Sequence, residues 1–319
     1  MPQLLIKGGT VYDPKNNIDG EVRDIWIQDG RIIDAPSDVS TKADKTIDAT
    51  GYVIMPGGVD MHCHIAGPKV NTARKMMPDD KRLAPMVHRT MHTRSGTTGA
   101  VPSTWATGYL YSGLGYTTAF DAAVPPLAAR HTHEELEDTP IIDKGFYVMM
   151  GNNHYIMKQL KEKDPEKVKA CVAWLINSAK GYGAKLVNPG GVEAWKSGQR
   201  NVDTLDETVD GFDIKPRDII QGVARAVDEL GMPHPVHLHC NNLGLPGNHD
   251  TTFETMKALE GYRGHLTHIQ FHSYGGDPDD QLTFKSEVPR LAQYVNENKN
   301  LTVDVGQVMF DKTTSMTGD

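Results

Sequence analysis

Two histidines stand two residues apart in Val59-Asp60-Met61-His62-Cys63-His64. If this run is a strand, residues two apart share a face, and the two imidazoles lie side by side. Parallel imidazoles are half of a metal site. The same spacing returns in His237-Leu238-His239, and His268 is followed four residues on by His272. Lys185 lies within Gly183-Ala184-Lys185-Leu186-Val187, where its apolar neighbours imply burial. Burying an ammonium is costly, and burial lowers its pKa until the amine is neutral. A neutral lysine beside metal ions can take up carbon dioxide as a carbamate, whose two oxygens can bridge two cations. Lys180 is the rival lysine, at the end of the preceding helix.

Such groups act together only if the fold brings them to one place. From Gly57 onward, apolar strands alternate with helix-compatible segments, which argues for βα units and a parallel sheet. Strands are expected at Gly58–Ile65, Thr117–Val124, Phe146–Gly151, Ala184–Asn188, Pro235–Cys240, His265–Phe271 and Leu301–Val308. Helices are expected at Ala84–Arg94, Pro165–Ser178, Pro216–Leu230, Thr251–Leu259 and Glu287–Val295. In a parallel barrel the chemistry gathers at the C-terminal strand ends, which is where the histidines and Lys185 fall. Residues 1–56 read as a small β module: a strand, Gly8-Gly9 turn and strand, then a hairpin at Asp29-Gly30, then a third pair over Thr46–Ile54. The expected fold class is α/β: a TIM-type (β/α)8 barrel over residues 57–319, with seven strands visible and the eighth missing. It follows an N-terminal β-sandwich module, half of a composite sandwich. On this reading the chain stops about one βα unit short and is a fragment of a longer protein.

The 319 residues are 38% hydrophobic and 23% charged, with a formal net charge of -8 and no basic run. That balance gives nucleic-acid binding no electrostatic support. No apolar stretch approaches a membrane span, and the start does not resemble a signal peptide. Three cysteines, Cys63, Cys171 and Cys240, are too few for a disulfide framework, so a cytoplasmic protein is expected.

The chain resembles the amidohydrolase superfamily. Pro56 to His64 matches its Pro-Gly-x-Ile/Val-Asp-x-His-x-His start, and Lys185, His239 and His268 match the later positions. The segments Ile65 to Arg74, His237 to Gly244 and Leu266 to Phe271 resemble, within it, the A-subunit family of formylmethanofuran dehydrogenases and bacterial formyltransferase/hydrolase complexes. The resemblance implies a two-zinc site that interconverts an N-formyl amine carrier with formate and the free amine in one-carbon metabolism. His62 and His64 would hold one zinc, His239 and His268 the other, and Lys185, as N6-carboxylysine, would bridge them. His237 competes with His239, which lies nearer the strand's end. His272 competes with His268, which lies within the apolar strand. The family's proton-shuttling Asp on the eighth strand has no counterpart here, because Asp304 lies on the seventh. Partners would be the other subunits of such a complex and a small-molecule formyl carrier, with neither nucleic acid nor membrane. The polar segment from Lys69 to Arg82 reads as a basic loop that could meet an acidic carrier tail, with Asn71 and Arg74 as contacts. Other readings are a cyclic-amide hydrolase of the hydantoinase or dihydroorotase kind, and a non-catalytic scaffold protein within a complex.

Overall fold

Gln3–Asp13 forms one long strand, β1, rather than two strands about a turn. The expected Gly8-Gly9 turn is a bulge: the pairing with β2 (Ile18–Gln28) slips between Ile6 and Gly9, and Gly8 sits at φ 73°. A side chain at Gly9 would meet Ile54 Cδ1 at 2.3 Å, so the missing Cβ lets β5 (Val53–Ile54) approach. Nor does Thr46–Ile54 fold into a hairpin. Instead β4 (Lys45–Asp48) and β5 both pair with β1 in parallel, on either side of the bulge. The Asp29-Gly30 hairpin forms as the sequence indicates. Both residues have positive φ, and they join β2 to β3 (Arg31–Ile33). The computed structural model describes residues 3–38, 40–76, 103–198, 202–277 and 279–306. Contacts divide the chain into two units, Met1–Gly58 and Val59–Asp319.

The second unit is built on a seven-stranded sheet whose strands follow one another in chain order. They are β6 (Gly58–Cys63), β7 (Tyr116–Val124), β8 (Asp143–Met149), β9 (Gly183–Val187), β10 (Val236–His239), β11 (Gly264–Leu266) and β14 (Leu301–Val303). The pairings from β7 to β14 are all parallel. The sheet is curled, as the barrel reading requires. In a flat sheet β6 would lie about 19 Å from β10, four strand steps of about 4.8 Å. Instead His62 Nδ1 on β6 lies 2.9 Å from His237 Nε2 on β10.

Alternation sorts the strand residues. Ala184 and Leu186 on β9, with Val236 and Leu238 on β10, are fully buried in the apolar core. Lys185 and His237 take the other face and sit opposite one another in register. The helices that cover the sheet include α1 (Gly67–Met76), α2 (Thr104–Gly113), α3 (Ala129–Glu137), α4 (His154–Lys161) and α5 (Pro165–Ala179). After β9 come α6 (Gly191–Lys196), α7 (Pro216–Glu229), α8 (His249–Ala258) and α9 (Val288–Glu297). In α5, Asp164 accepts from Lys167 N, Pro165 opens the first turn, and Val168, Val172, Leu175 and Ile176 face the core. In α7, Asp218 accepts from the backbone N–H of Lys215, and Gly231 at φ 63° follows its last turn.

Three expectations change. The segment from Lys69, taken as a loop, is helical through Met76, while Lys81, Arg82 and the helix expected at Ala84–Arg94 lie outside the described residues. The strand expected over His265–Phe271 ends at Leu266. His268 then takes φ 37°, and Ile269–His272 forms a 3-10 turn. The strand expected over Leu301–Val308 ends at Val303, so Asp304 follows it. The sequence also concealed a hairpin of β12 (Tyr274–Asp277) and β13 (Asp280–Ser286). No helix among the described residues is long and apolar enough to cross a membrane.

Gly108 offers a stability test. A helical Gly→Ala change normally gains up to about 1 kcal/mol. Here an added Cβ would lie 2.0 Å from the Pro140 carbonyl oxygen. Backbone must move, at about 1–3 kcal/mol. Gly108→Ala is therefore expected to lower the midpoint of urea unfolding, and a raised midpoint would contradict the packing described.

Candidate metal centre

The strand ends converge on a group of imidazoles, of which His237, His239, His268 and His272 are buried, His62 partly buried and His64 exposed at the rim. His62 stands next to last on β6, and His64 follows one residue beyond the strand, with ring centroids 5.5 Å apart. The His62 ring is 5.0 Å from that of His268, and His268 is 4.7 Å from His239. The four histidines matched to the superfamily thus form an unbroken line. Lys185 is 1% exposed, and its amine acts electrostatically on all four. His237 lies one layer deeper on β10, stacked on Tyr147 at 4.5 Å. His272 faces His239 and His268, each at 5.1 Å.

Electrostatics leave these groups neutral. Burial, reinforced by Lys185 and neighbouring rings, pushes His62 and His237 well below the ordinary imidazole range. Burial, then His272, His268 and Lys185, does the same to His239. His268 is pushed down to about 4, by burial first and Lys185 second. Burial and then Lys69 push Lys185 far below the usual lysine value, against the weaker pull of Asp304, Cys240 and Asp121. The buried thiols stay protonated: burial raises Cys240 to about 12 and lifts Cys63 well above its usual range.

Second partners fix several rings. Asp304 accepts from Thr267 Oγ1 at 3.0 and 2.9 Å, from the His268 backbone N–H, and from His265 Nε2 at 2.9 Å. Burial alone would raise its carboxyl; the hydrogen bonds from His265, the His268 backbone and Thr267 outweigh that and hold it below the usual range. Thr267 has one hydroxyl proton, which goes to the acceptor-only carboxylate. Its oxygen then accepts from His62 Nδ1, 2.6 Å away, where His237 Nε2 also converges. His62 therefore presents Nε2 with a free lone pair, the tautomer a metal ligand needs. The same carboxylate holds the left-handed backbone of His268. On the other side Asp121, buried on β7, accepts from the backbone N–H groups of Ile65, Ala66 and Ala123, and lies 3.9 Å from His64 Nδ1. Burial raises its carboxyl to about 6, against those backbone bonds and Lys69.

Among the described residues, Lys185 Nζ, His239 Nε2 and His268 Nδ1 are buried without a hydrogen-bond partner. Buried polar atoms are rarely left so. Neutral nitrogen lone pairs that converge with no donor to meet them suit a cation. Ligand atoms of His239, His268 and His272 lie within 4.8 Å of one another, as do those of His62, His237 and Asp304. The residues present fit a metal centre.

Of the other site residues expected, Asn71 lies on α1 with its amide nitrogen 2.8 Å from Glu135 Oε1 on α3. Arg74 lies on the same helix, with its side chain outside the described residues. The reason for ranking His268 above His272 falls away, since neither lies in the strand. Lys69, Asp121, Thr267 and Asp304 belong to the centre and were not assigned to it. Asp121 had left a signal: a lone carboxylate in the apolar run Ala119-Phe120-Asp121-Ala122-Ala123-Val124.

Known proteins agree with this architecture. Protein FwdA of Methanocaldococcus jannaschii is 48% identical over 99% of this chain and 56% of its own length. The A-subunit of the formyltransferase/hydrolase complex Fhc of Methylorubrum extorquens is 40% identical over 98% of this chain and 56% of its own. The crystal structure of the formyltransferase/hydrolase complex (FhcABCD) from Methylorubrum extorquens with methylofuran matches with a TM-score of 0.87 and 38% identity. That match covers 97% of this chain and 55% of the other. The chain spans about half the length of the curated relatives it matches. The amidohydrolase family matches residues 45–318, a range that takes in every strand of the seven-stranded sheet, and the chain belongs to that family.

Proposed function

We propose that this chain is the hydrolytic component of a cytoplasmic formyl-carrier complex, a binuclear zinc amidohydrolase. It interconverts an N-formyl amine carrier of the formylmethanofuran kind with formate and the free amine. The observation that carries the reading is the continuous line of the rings of His64, His62, His268 and His239, beside a Lys185 whose buried amine has no hydrogen-bond partner among the described residues. The choice of carrier and of partner subunits rests on the likeness to FwdA and the Fhc A-subunit.

His62 and His64 would hold one zinc ion and His239 and His268 the other. Lys185 would bridge them after its neutral amine has added to carbon dioxide, losing one proton to give an anionic carbamate. When bound, the ions supply polarisation of the formyl oxygen and acidification of water. The chain does the rest. Thr267 and Asp304 set the tautomer of His62 and the backbone of His268, so the ligand nitrogens stand ready without reorganisation. Asp121, 3.9 Å behind His64, fixes through Ile65 N and Ala66 N the backbone that carries it. Lys69, which acts on Lys185, His64 and Asp121, offers a cationic edge to formate or a carrier carboxylate. Asn71 and Arg74, on the helix that follows the first metal strand, are assigned to the carrier.

Metal removal tests the reading. Stripping the assembled protein with dipicolinate is expected to abolish hydrolysis of a formylated amine, and zinc is expected to restore it. Turnover of a hydantoin in preference to the formylated amine would transfer the assignment to a cyclic-amide hydrolase. Near-zero zinc in the native protein would make it a scaffold.

A further inference from the structure

His272 is fully buried, and neither of its ring nitrogens makes a hydrogen bond of good geometry to any described residue. Buried polar nitrogens are rarely left without a partner, and two on one ring point to a ligand that meets one of them. The 3-10 turn Ile269–His272 brings residues 268 and 272 together, with rings stacked at 5.1 Å and 28°. The turn is braced. Ser273 Oγ donates to the Ile269 carbonyl, Asn248 Nδ2 donates to the Phe271 carbonyl, and Asn248 Oδ1 accepts from Tyr274 N. Three imidazoles, those of His239, His268 and His272, therefore point ligand atoms into one small space, all within 4.8 Å of each other. Ligands of a tetrahedral zinc ion stand about 3.3 Å apart, so modest ring shifts close the set.

We propose that His272 is a ligand to the second metal ion, forming a three-histidine set with His239 and His268. Together with an oxygen of the carboxylated Lys185, three imidazoles would give the second ion four protein ligands, so that a water or substrate oxygen would enter as a fifth. The family positions matched in the sequence do not include this residue. The proposal rests on the binuclear reading above and deepens it: the second ion has a full protein half-shell of its own. A histidine that merely packs, or that holds a water molecule, would leave metal binding untouched when replaced.

Cobalt(II) titration of the purified, metal-free protein tests this with no activity assay. In His272→Gln and His272→Phe the second ion is expected to bind at least about tenfold more weakly and with an altered visible band. Binding of the first ion and the circular dichroism of the metal-free protein are expected to stay unchanged. Wild-type affinity for both ions with an unchanged band in both variants would overturn the proposal. A second measurement needs no variant to fold. The cobalt-loaded wild type is expected to show a hyperfine-shifted exchangeable imidazole N–H for each of His62, His64, His239, His268 and His272. Absence of the His272 resonance overturns the proposal. If the wild type binds no cobalt, the binuclear reading falls and this falls with it. If it binds both ions and the His272 variants do too, only this proposal falls.

Discussion

Replacing Lys185 by methionine is expected to abolish binding of at least one metal ion and to make the metal-free protein more stable. The two effects point in opposite directions because Lys185 is a functional liability in the core. Its amine is buried with no hydrogen-bond partner among the described residues, and burial drives its pKa far below the usual value. Methionine fills a similar volume without desolvating an amine, and replacing buried polar groups by apolar ones of like shape is neutral or stabilising. The sign with pH follows. Between the depressed native pKa and about 10.4, the unfolded chain binds one more proton than the native one. Stability of the metal-free, bicarbonate-free wild type therefore rises with pH across that window, by up to about 1.4 kcal/mol per unit from this group. Lys185→Met is expected to lose that slope. Urea unfolding at several pH values, beside zinc analysis, checks both halves. A variant that is less stable and keeps both metals would show that the amine has a structural partner. In the assembled protein, the loss of activity should exceed the roughly 10–100-fold that removal of an outer partner costs.

The second large effect is expected at Asp304. This carboxylate answers Thr267 Oγ1, the His268 backbone N–H and His265 Nε2 at once. Asp304→Ala leaves three donors without their acceptor in a largely buried place, and each such orphan costs about 1–3 kcal/mol. A loss of about 3 kcal/mol is expected after local relaxation, with weaker zinc binding because His62 and His268 lose the partners that aim them. Asp304→Asn keeps one acceptor and should lie between. Denaturant titration of the metal-free variants measures the first effect and zinc competition the second. If Asp304→Ala weakens metal binding with no change in metal-free stability, the carboxylate is itself a ligand. Its place beside His62 and His237 makes that outcome a real alternative.

Much of this site was legible from local pattern. His62, His64, Lys185, His237 and His239 could be placed because strand alternation has a period of two and apolar runs mark the strands. The Asp29-Gly30 turn and the Pro165 and Pro216 helix starts were equally local. The errors also have local causes. The Gly8-Gly9 pair reads as a turn because glycine serves turns and bulges alike, and only the approach of Ile54 decides which. The apolar run from His265 to Phe271 reads as strand because hydrophobicity does not distinguish an extended segment from a buried 3-10 turn.

By itself, then, the sequence determined the strands of the parallel sheet, the shared face of Lys185 and His237, and that this lysine is buried. Those properties depend on neighbours a few residues away. The tertiary structure alone decided that β6 curls round to meet β10 and β11, since that contact joins residues 175 apart. The same long-range closure brings Asp304 under His268 and Thr267, and Asp121 behind His64. It also sets the ring of His272 against that of His239. Those partnerships follow from the curvature of a sheet whose strands lie far apart in the chain, and no local spacing encodes them.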